Sequence, residues 1–265
     1  MTMKTLFAIG LLLFGYLNEK PFYENHLNGK VKEIRTQSFE LKTDENGKEI
    51  EELKEGGYKY EYNESGQVVK LHLDLFEGKY QYYTNFYYNE LGQLVSTTKN
   101  DLNHLHMSTH KMDYSTLKNL KSITILDKDK TTKELITFKK ANSIIEEVSS
   151  ADTIFFKYHY NGNILIKKEK LGKSGILLRF WNYKYNTNGL DSLVEVGGKF
   201  GVFRKFRYEY NQNGDKIKSE IIERNGKTKT REYKYTYDEA NNWITKIYVR
   251  KDKRESITKR EIIYF

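Results

Sequence analysis

One phrase recurs along this chain: two aromatics separated by one residue, then a polar turn that ends in Gly. It reads Tyr60-Glu-Tyr62-Asn63-Glu-Ser-Gly66, Phe86-Tyr-Tyr88-Asn89-Glu-Leu-Gly92, Tyr183-Lys-Tyr185-Asn186-Thr-Asn-Gly189 and Tyr208-Glu-Tyr210-Asn211-Gln-Asn-Gly214. A last copy, Tyr235-Thr-Tyr237-Asp238-Glu-Ala-Asn241, puts Asn where the others put Gly. Intact neighbours lie about 25 residues apart, a period that marks an array of supersecondary units. Such units cannot bury enough surface alone and must stack.

Two kinds of turn alternate. The first is the Asn-x-x-Gly after each aromatic pair, where Asn bonds its own backbone and Gly accepts positive φ. The second falls half a period later, at Glu55-Gly56-Gly57, Glu77-Gly78, Gly172 to Gly175, Gly197-Gly198 and Asn225-Gly226. The Asn-Gly pair is the signature of a type I′ hairpin. Between turns the chain alternates, as in Thr230 to Tyr237, where Tyr233, Tyr235 and Tyr237 share one face and Glu232, Lys234 and Thr236 the other. Period two with tight turns reads as an antiparallel meander. The fold expected is therefore all-β: tandem antiparallel hairpins of about 25 residues in one long twisted meander sheet. Degenerate copies fall between about 100 and 155, namely Met112-Asp-Tyr114 and Phe138 to Asn142, and just after them Tyr158-His-Tyr160-Asn161-Gly162 shortens its turn. No linker divides the array, so residues 19–265 are expected to form one unit.

Composition suits this reading. Hydrophobic residues make up 38% of the 265, while aromatics reach 14% with 22 Tyr, which favours thin, wet sheet faces over a thick aliphatic core. Without any Cys, disulfides, thiolate metal sites and thiol chemistry are excluded. At the N-terminus, Lys4 precedes an apolar run from Leu6 to Leu17 that has the form of a signal-peptide core. That run is too short to span a bilayer comfortably. Leu13-Phe14-Gly15-Tyr16 has the form of a lipoprotein box with Tyr in place of the lipidated Cys. Residues 1–18 are thus expected to be a signal peptide, cleaved near Gly15 to Asn18 or kept as a weak anchor. The protein is then exported to the periplasm, cell surface or medium. The competing reading of the same run is a buried first strand.

The phrase Tyr-x-Tyr-Asn/Asp-x-x-Gly resembles the YD repeat of Rhs-type proteins, and of short secreted YD-repeat proteins of Bacteroidetes-like bacteria. The best-matching stretch is Tyr233 to Ile247, with Asp238 and Trp243, followed by Thr258 to Phe265. The resemblance covers roughly residues 55 to 265 and implies consecutive hairpins in a long twisted sheet. Large members wrap that sheet into a shell around a toxin. This chain has far fewer repeats, no toxin domain and only one proline, Pro21, so the fold carries over and the shell function does not. The apolar end Ile262-Ile263-Tyr264-Phe265 is expected to pair along its length, because a free apolar edge aggregates.

Catalytic signatures are absent: there is no nucleophile elbow, phosphate loop or His-Glu-x-x-His. Adjacent carboxylates such as Glu51-Glu52 and Glu146-Glu147 would point to opposite faces of a strand. His104 and His106 would share a strand face, which makes them weak candidates for a divalent metal. No enzyme activity and no cofactor are expected.

The chain carries a formal charge of +9; residues 204 to 265 hold 17 Lys/Arg against 10 Asp/Glu, that is, +7 of it. Arg204, Lys205, Arg207, Lys227, Lys229, Arg231, Arg250, Lys251, Lys253, Arg254, Lys259 and Arg260 are candidates for a basic face toward a polyanion, or else keep strand faces soluble. The recurring tyrosines read as structure. Ligand contacts are expected where the pattern breaks, at Trp181 and Trp243, with Arg204, Arg207, Arg231 and Arg250. The function expected is a non-catalytic exported scaffold binding envelope polysaccharide or a protein partner. Nucleic acid is not expected, and membrane contact is expected only through an uncleaved N-terminal segment. The alternatives are an immunity or accessory protein of a toxin system, and an enzyme acting on envelope polymer.

Overall fold

The computed structural model describes residues 27–54, 56–76, 79–101, 103, 105–114, 120–141, 143–150, 155–172, 174–250 and 253–265. The expected signal segment and His104 lie outside them. Among the described residues every regular element is a strand. The first ten are β1 (Val31–Thr43), β2 (Glu49–Leu53), β3 (Tyr58–Tyr62), β4 (Val68–Phe76), β5 (Lys79–Tyr88), β6 (Leu94–Asp101), β7 (His106–Tyr114), β8 (Leu120–Leu126), β9 (Thr132–Ala141) and β10 (Ile144–Ser149). The rest are β11 (Phe155–Asn161), β12 (Ile164–Leu171), β13 (Leu177–Tyr185), β14 (Asp191–Gly198), β15 (Gly201–Tyr210), β16 (Lys216–Glu223), β17 (Thr228–Tyr237), β18 (Trp243–Arg250) and β19 (Lys253–Tyr264).

From β3 to β19 each strand pairs antiparallel with the next. The sheet does not end there. β19 returns to β1 over a long ladder from Val31↔Tyr264 to Glu40↔Ser256. The other edge of β1 is shared: its first half pairs with β3 and its second half with the short β2. The result is a closed 18-strand barrel with β2 as an extra flap, not the open meander expected from the repeats. The reason is energetic. An open array would leave β1 and β19 as two exposed edges; closure pairs both and brings Ile34 opposite Ile262. The apolar C-terminal end, Ile262 to Tyr264, is thereby paired to β1, while the ladder to β18 covers only the earlier part of β19, up to Lys259.

The Asn turns repeat one geometry. The Asn63 amide donates to the Gln67 carbonyl at 2.9 Å, and the Gly66 amide to the Asn63 carbonyl at 2.9 Å. Asn63 Oδ1 also accepts from the Ser65 and Gln67 amides. Gly66, Gly189 and Gly214 all have φ near +80° (77°, 77° and 82°), as a type I turn followed by a left-handed residue requires. Where glycine is missing, Asn241 (φ 61°) and Lys130 (φ 60°) adopt the same conformation. The Asn225-Gly226 turn departs from expectation. The Gly226 amide donates to the Glu223 carbonyl and only Gly226 has positive φ, so it is another three-residue turn with a left-handed glycine rather than type I′. The shortened turn after Tyr160 does close on two residues: Asn161 pairs with Ile164, and Gly162 takes positive φ.

The tyrosines do more than form a stripe. The Tyr88, Tyr114, Tyr185 and Tyr235 hydroxyls donate to the carbonyls of Val68, Leu94, Leu165 and Lys216, at 2.6 to 2.9 Å. Each bond ties the end of one strand to the start of the strand before it. The degenerate copy at Met112-Asp-Tyr114 keeps this lock, so the repeat survives there without its Gly.

Alternation gives the wall two faces. Ile34, Tyr60, Leu71, Ile123, Tyr158, Leu165 and Val194 are buried and all lie on one of them. This is the concave face, where side chains of neighbouring strands converge. Both hydrophobic clusters are built by consecutive strands, one around Ile34, Tyr60, Leu71 and Phe86, the other around Ile123, Ile125 and Ile136. The barrel is thus a single-sheet wall around a lumen, as its strand number dictates. The convex face is wet. There Lys59 meets Glu61 at 2.7 Å, Lys157 meets Glu146 at 2.8 Å, Lys205 meets Glu195 at 2.8 Å and His159 meets Glu169 at 2.8 Å.

Candidate ligand-binding wall

On the concave face from β11 to β19 the strand register brings together Lys168, Lys170, Arg179, Arg204, Lys216, Lys229, Arg231, Lys246 and Arg260. The strand carboxylates on the same face are Asp191 and Glu223. Glu223 is committed to Arg204, which it meets through two oxygens at 3.1 and 2.9 Å. Asp191 accepts the Tyr210 hydroxyl at 2.8 Å. The wall therefore carries a strong excess of positive charge.

The cations are interleaved with rings. Lys168 Nζ lies 4.3 Å from the ring centre of Phe156, 5.1 Å from that of Tyr158 and 5.7 Å from that of Trp181. Lys216 Nζ sits 3.5 Å over Tyr208, and Lys246 Nζ 4.6 Å over Tyr233. The Arg260 guanidinium stacks on Trp243 at 3.1 Å. Aromatic faces attract cations through their quadrupole, and this lets the wall tolerate charge among apolar neighbours. Burial still opposes it. It pushes the Lys168 ammonium down to about 8, against the attraction of Glu147. Lys216 is lowered by burial too, and Lys246 by burial together with Arg260 and Lys216. Beside Lys168, the Tyr158 hydroxyl donates to Glu147 at 2.5 Å, and burial raises the Glu147 carboxyl above its ordinary range.

The residues singled out from sequence separate here. Trp181, Trp243, Arg204 and Arg231 lie on the concave wall. Arg207 does not: it pairs across strands with Leu193 and Glu220 on the convex face. Lys205 and Lys259 are also convex and bound to Glu195 and Glu51, so the expected basic face is split by the pleat. Arg250 ends β18, 3.7 Å from Glu255. His106 lies on β7 and shares a hydrogen bond with Thr109 at 3.2 Å. Among the described residues no group of three His, Asp or Glu could hold a metal ion.

Sequence reading missed Lys168, Lys216 and Lys246. Their signal was nevertheless present, as a departure from the array's own pattern. The residue facing the first member of each pair across its hairpin is Leu71, Ile123 and Val194 in three units, but Lys168 and Lys246 in two others.

No protein-family profile matches the chain, and no curated protein does. Solved structures match it over most of its length. A porin-like protein from Bacteroides uniformis covers 89% of this chain and 98% of its own, at 11% identity and a TM-score of 0.44. A porin-like protein from Bacteroides vulgatus covers 88% and 98%, at 11% identity and a TM-score of 0.37. The TcdB2-TccC3-TEV structure matches over 86% of this chain and only 13% of its own, at 14% identity and a TM-score of 0.38. At TM-scores below 0.5 none of these bears on what the chain does.

Proposed function

We propose that this protein is an exported, non-catalytic hairpin-repeat barrel of the YD type that binds an acidic cell-envelope polysaccharide along its concave wall. The observation that carries the reading is the excess of Lys and Arg over carboxylates on the concave positions of β11 to β19, interleaved with Tyr, Phe and Trp rings. Sugars of an acidic glycan offer carboxylates to the cations and flat carbon faces to the rings. The convex face supports a barrel immersed in water. A lipid-facing barrel needs an outward apolar band, and a Lys or Arg placed there costs about 2–4 kcal/mol at the bilayer midplane. The ion pairs of Lys59, Lys157, Lys205 and Glu169 stand on this outward face.

The test is binding of residues 19–265 to polygalacturonate, an acidic glycan, at rising salt. Affinity should fall steeply as screening grows. Lys229 and Arg231 are exposed on the wall, and reversing both to Glu should weaken binding at least tenfold. Binding that ignores both salt and the double reversal, or no binding at low salt, would overturn the reading. A salt-independent, stoichiometric complex with one envelope protein would replace it.

A further inference from the structure

Two charged residues, on either side of one strand, sit where most units of the repeat lattice place small or apolar ones. Across most hairpins an aromatic or aliphatic residue faces a small or aliphatic partner: Tyr60 faces Leu71, Phe86 faces Thr97, Met112 faces Ile123 and Tyr183 faces Val194, and at the β19–β1 seam Ile262 faces Ile34; Lys246, facing Tyr235, is a separate exception. In β11–β12, Tyr158 faces Lys168. In β9–β10, Phe138 faces Glu147. β11 runs between the two, so Glu147 and Lys168 flank its rings Phe156 and Tyr158 from opposite sides. Trp181 of β13 stands directly opposite Lys168 on the next strand. An ammonium and a carboxylate placed among apolar side chains cost free energy that an aliphatic pair would not. A sequence that keeps its pattern in most units and breaks it on both sides of one strand, β11, points to a site there.

The rings favour this place over the other break at Trp243. There Arg260 already stacks at 3.1 Å and covers the indole. Around Trp181 the cations Lys168 and Arg179 stand off at 5.7 and 5.9 Å. We propose that Lys168, Glu147, Tyr158 and Trp181 form a subsite for a single carboxylated sugar unit, a uronate. Lys168 takes the carboxylate, Glu147 accepts a sugar hydroxyl, and Trp181 lies against the sugar ring. This rests on the polysaccharide reading of the wall and names its most specific position.

The test is calorimetric titration with a short oligogalacturonate and with its methyl ester, which keeps the sugar and removes the charge. Wild type should prefer the acid form. Lys168→Leu installs the residue type of Leu71, so it should fold at least as well while losing tenfold or more in affinity for the acid and little for the ester. Glu147→Gln should weaken both forms alike. Two results separate the possible failures. If Lys168→Leu binds the acid like wild type while the reversal at Lys229 and Arg231 abolishes binding, the subsite is wrong and the wall stands. If wild type binds neither form nor polygalacturonate at low salt, both are wrong. Should Lys168→Leu fail to fold, Lys168→Met and the Glu147→Gln variant carry the same comparison.

Discussion

The Tyr185 hydroxyl donates to the backbone carbonyl of Leu165 at 2.6 Å, across one strand pair and 20 residues of sequence. This bond turns a packed stripe into a linked one, because the carbonyl it satisfies lies at the start of β12. Tyr185→Phe should cost about 1 kcal/mol in urea unfolding, the usual net worth of such a bond. Tyr183→Phe, a half-buried ring on the same stripe, serves as the comparison. Equal losses for the two would mean the hydroxyl contributes nothing.

Turn chemistry predicts changes of opposite sign at equivalent positions. Gly66 has φ 77° with open space around a would-be side chain, so Gly66→Ala should lose about 1 kcal/mol from backbone strain alone. Lys130 adopts φ 60° at the matching place after Asp127, and Lys130→Gly should recover stability of similar size. Paired thermal melts decide it: stabilisation at 66 or loss at 130 would sink the shared-turn description.

Lys168 predicts a rise of stability with pH. Its folded value of about 8 lies below its ordinary 10.5, so the unfolded chain holds the proton more tightly. Stability from this group is therefore low below pH 8, grows between about 8 and 10.5, and is full above that. At about 1.4 kcal/mol per pH unit the whole change is about 3 kcal/mol. Wild type should gain on Lys168→Leu between pH 8 and 10. Higher still, Tyr114, Tyr160, Tyr185 and Tyr208, pushed up to about 12 chiefly by burial, act the other way. Their folded forms keep protons that the unfolded chain releases, so stability falls once pH passes about 10. A wild-type curve parallel to the variant's from pH 8 to 10 would contradict the burial of Lys168.

Closure of the barrel concentrates on β1. Ile34 is 0% exposed and faces both Tyr60 and Ile262. Ile34→Ala should cost about 2–4 kcal/mol, in the range of buried large-to-small changes. Removing residues 253–265 should do more than destabilise. It frees the edges of β1 and β18, and the truncated chain should self-associate in sedimentation runs at concentrations where wild type is monodisperse. A monodisperse truncated chain would mean that the seam is dispensable.

Much of this architecture was legible in the residues. Asn63, Asn186 and Asn211 with their glycines specified the turns, because bonding to its own backbone and tolerance of positive φ are local properties. The period-two run of Tyr233, Tyr235 and Tyr237 specified a face. The hydroxyl locks were not legible, since each joins residues about 20 apart whose distance depends on strand register. The type of turn at Asn225-Gly226 was not legible either, because the ladder between β16 and β17 selects three residues where the dipeptide alone favours two.

The site divides the same way. Sequence named Trp181 and Arg231 through composition and broken pattern, and grouped Arg207 and Lys205 with Arg204 because they are neighbours in the chain. The pleat sends Arg204 inward and its neighbours outward, which no charge count reveals. By itself the sequence determined the hairpins, their turns and the aromatic stripe, for these follow from short-range sterics and period-two alternation. Only the tertiary structure decided that β19 returns to β1, which face is concave, and that Glu147 and Lys168 flank β11. These depend on accumulated twist and register over the full set of strands, quantities that no single repeat contains.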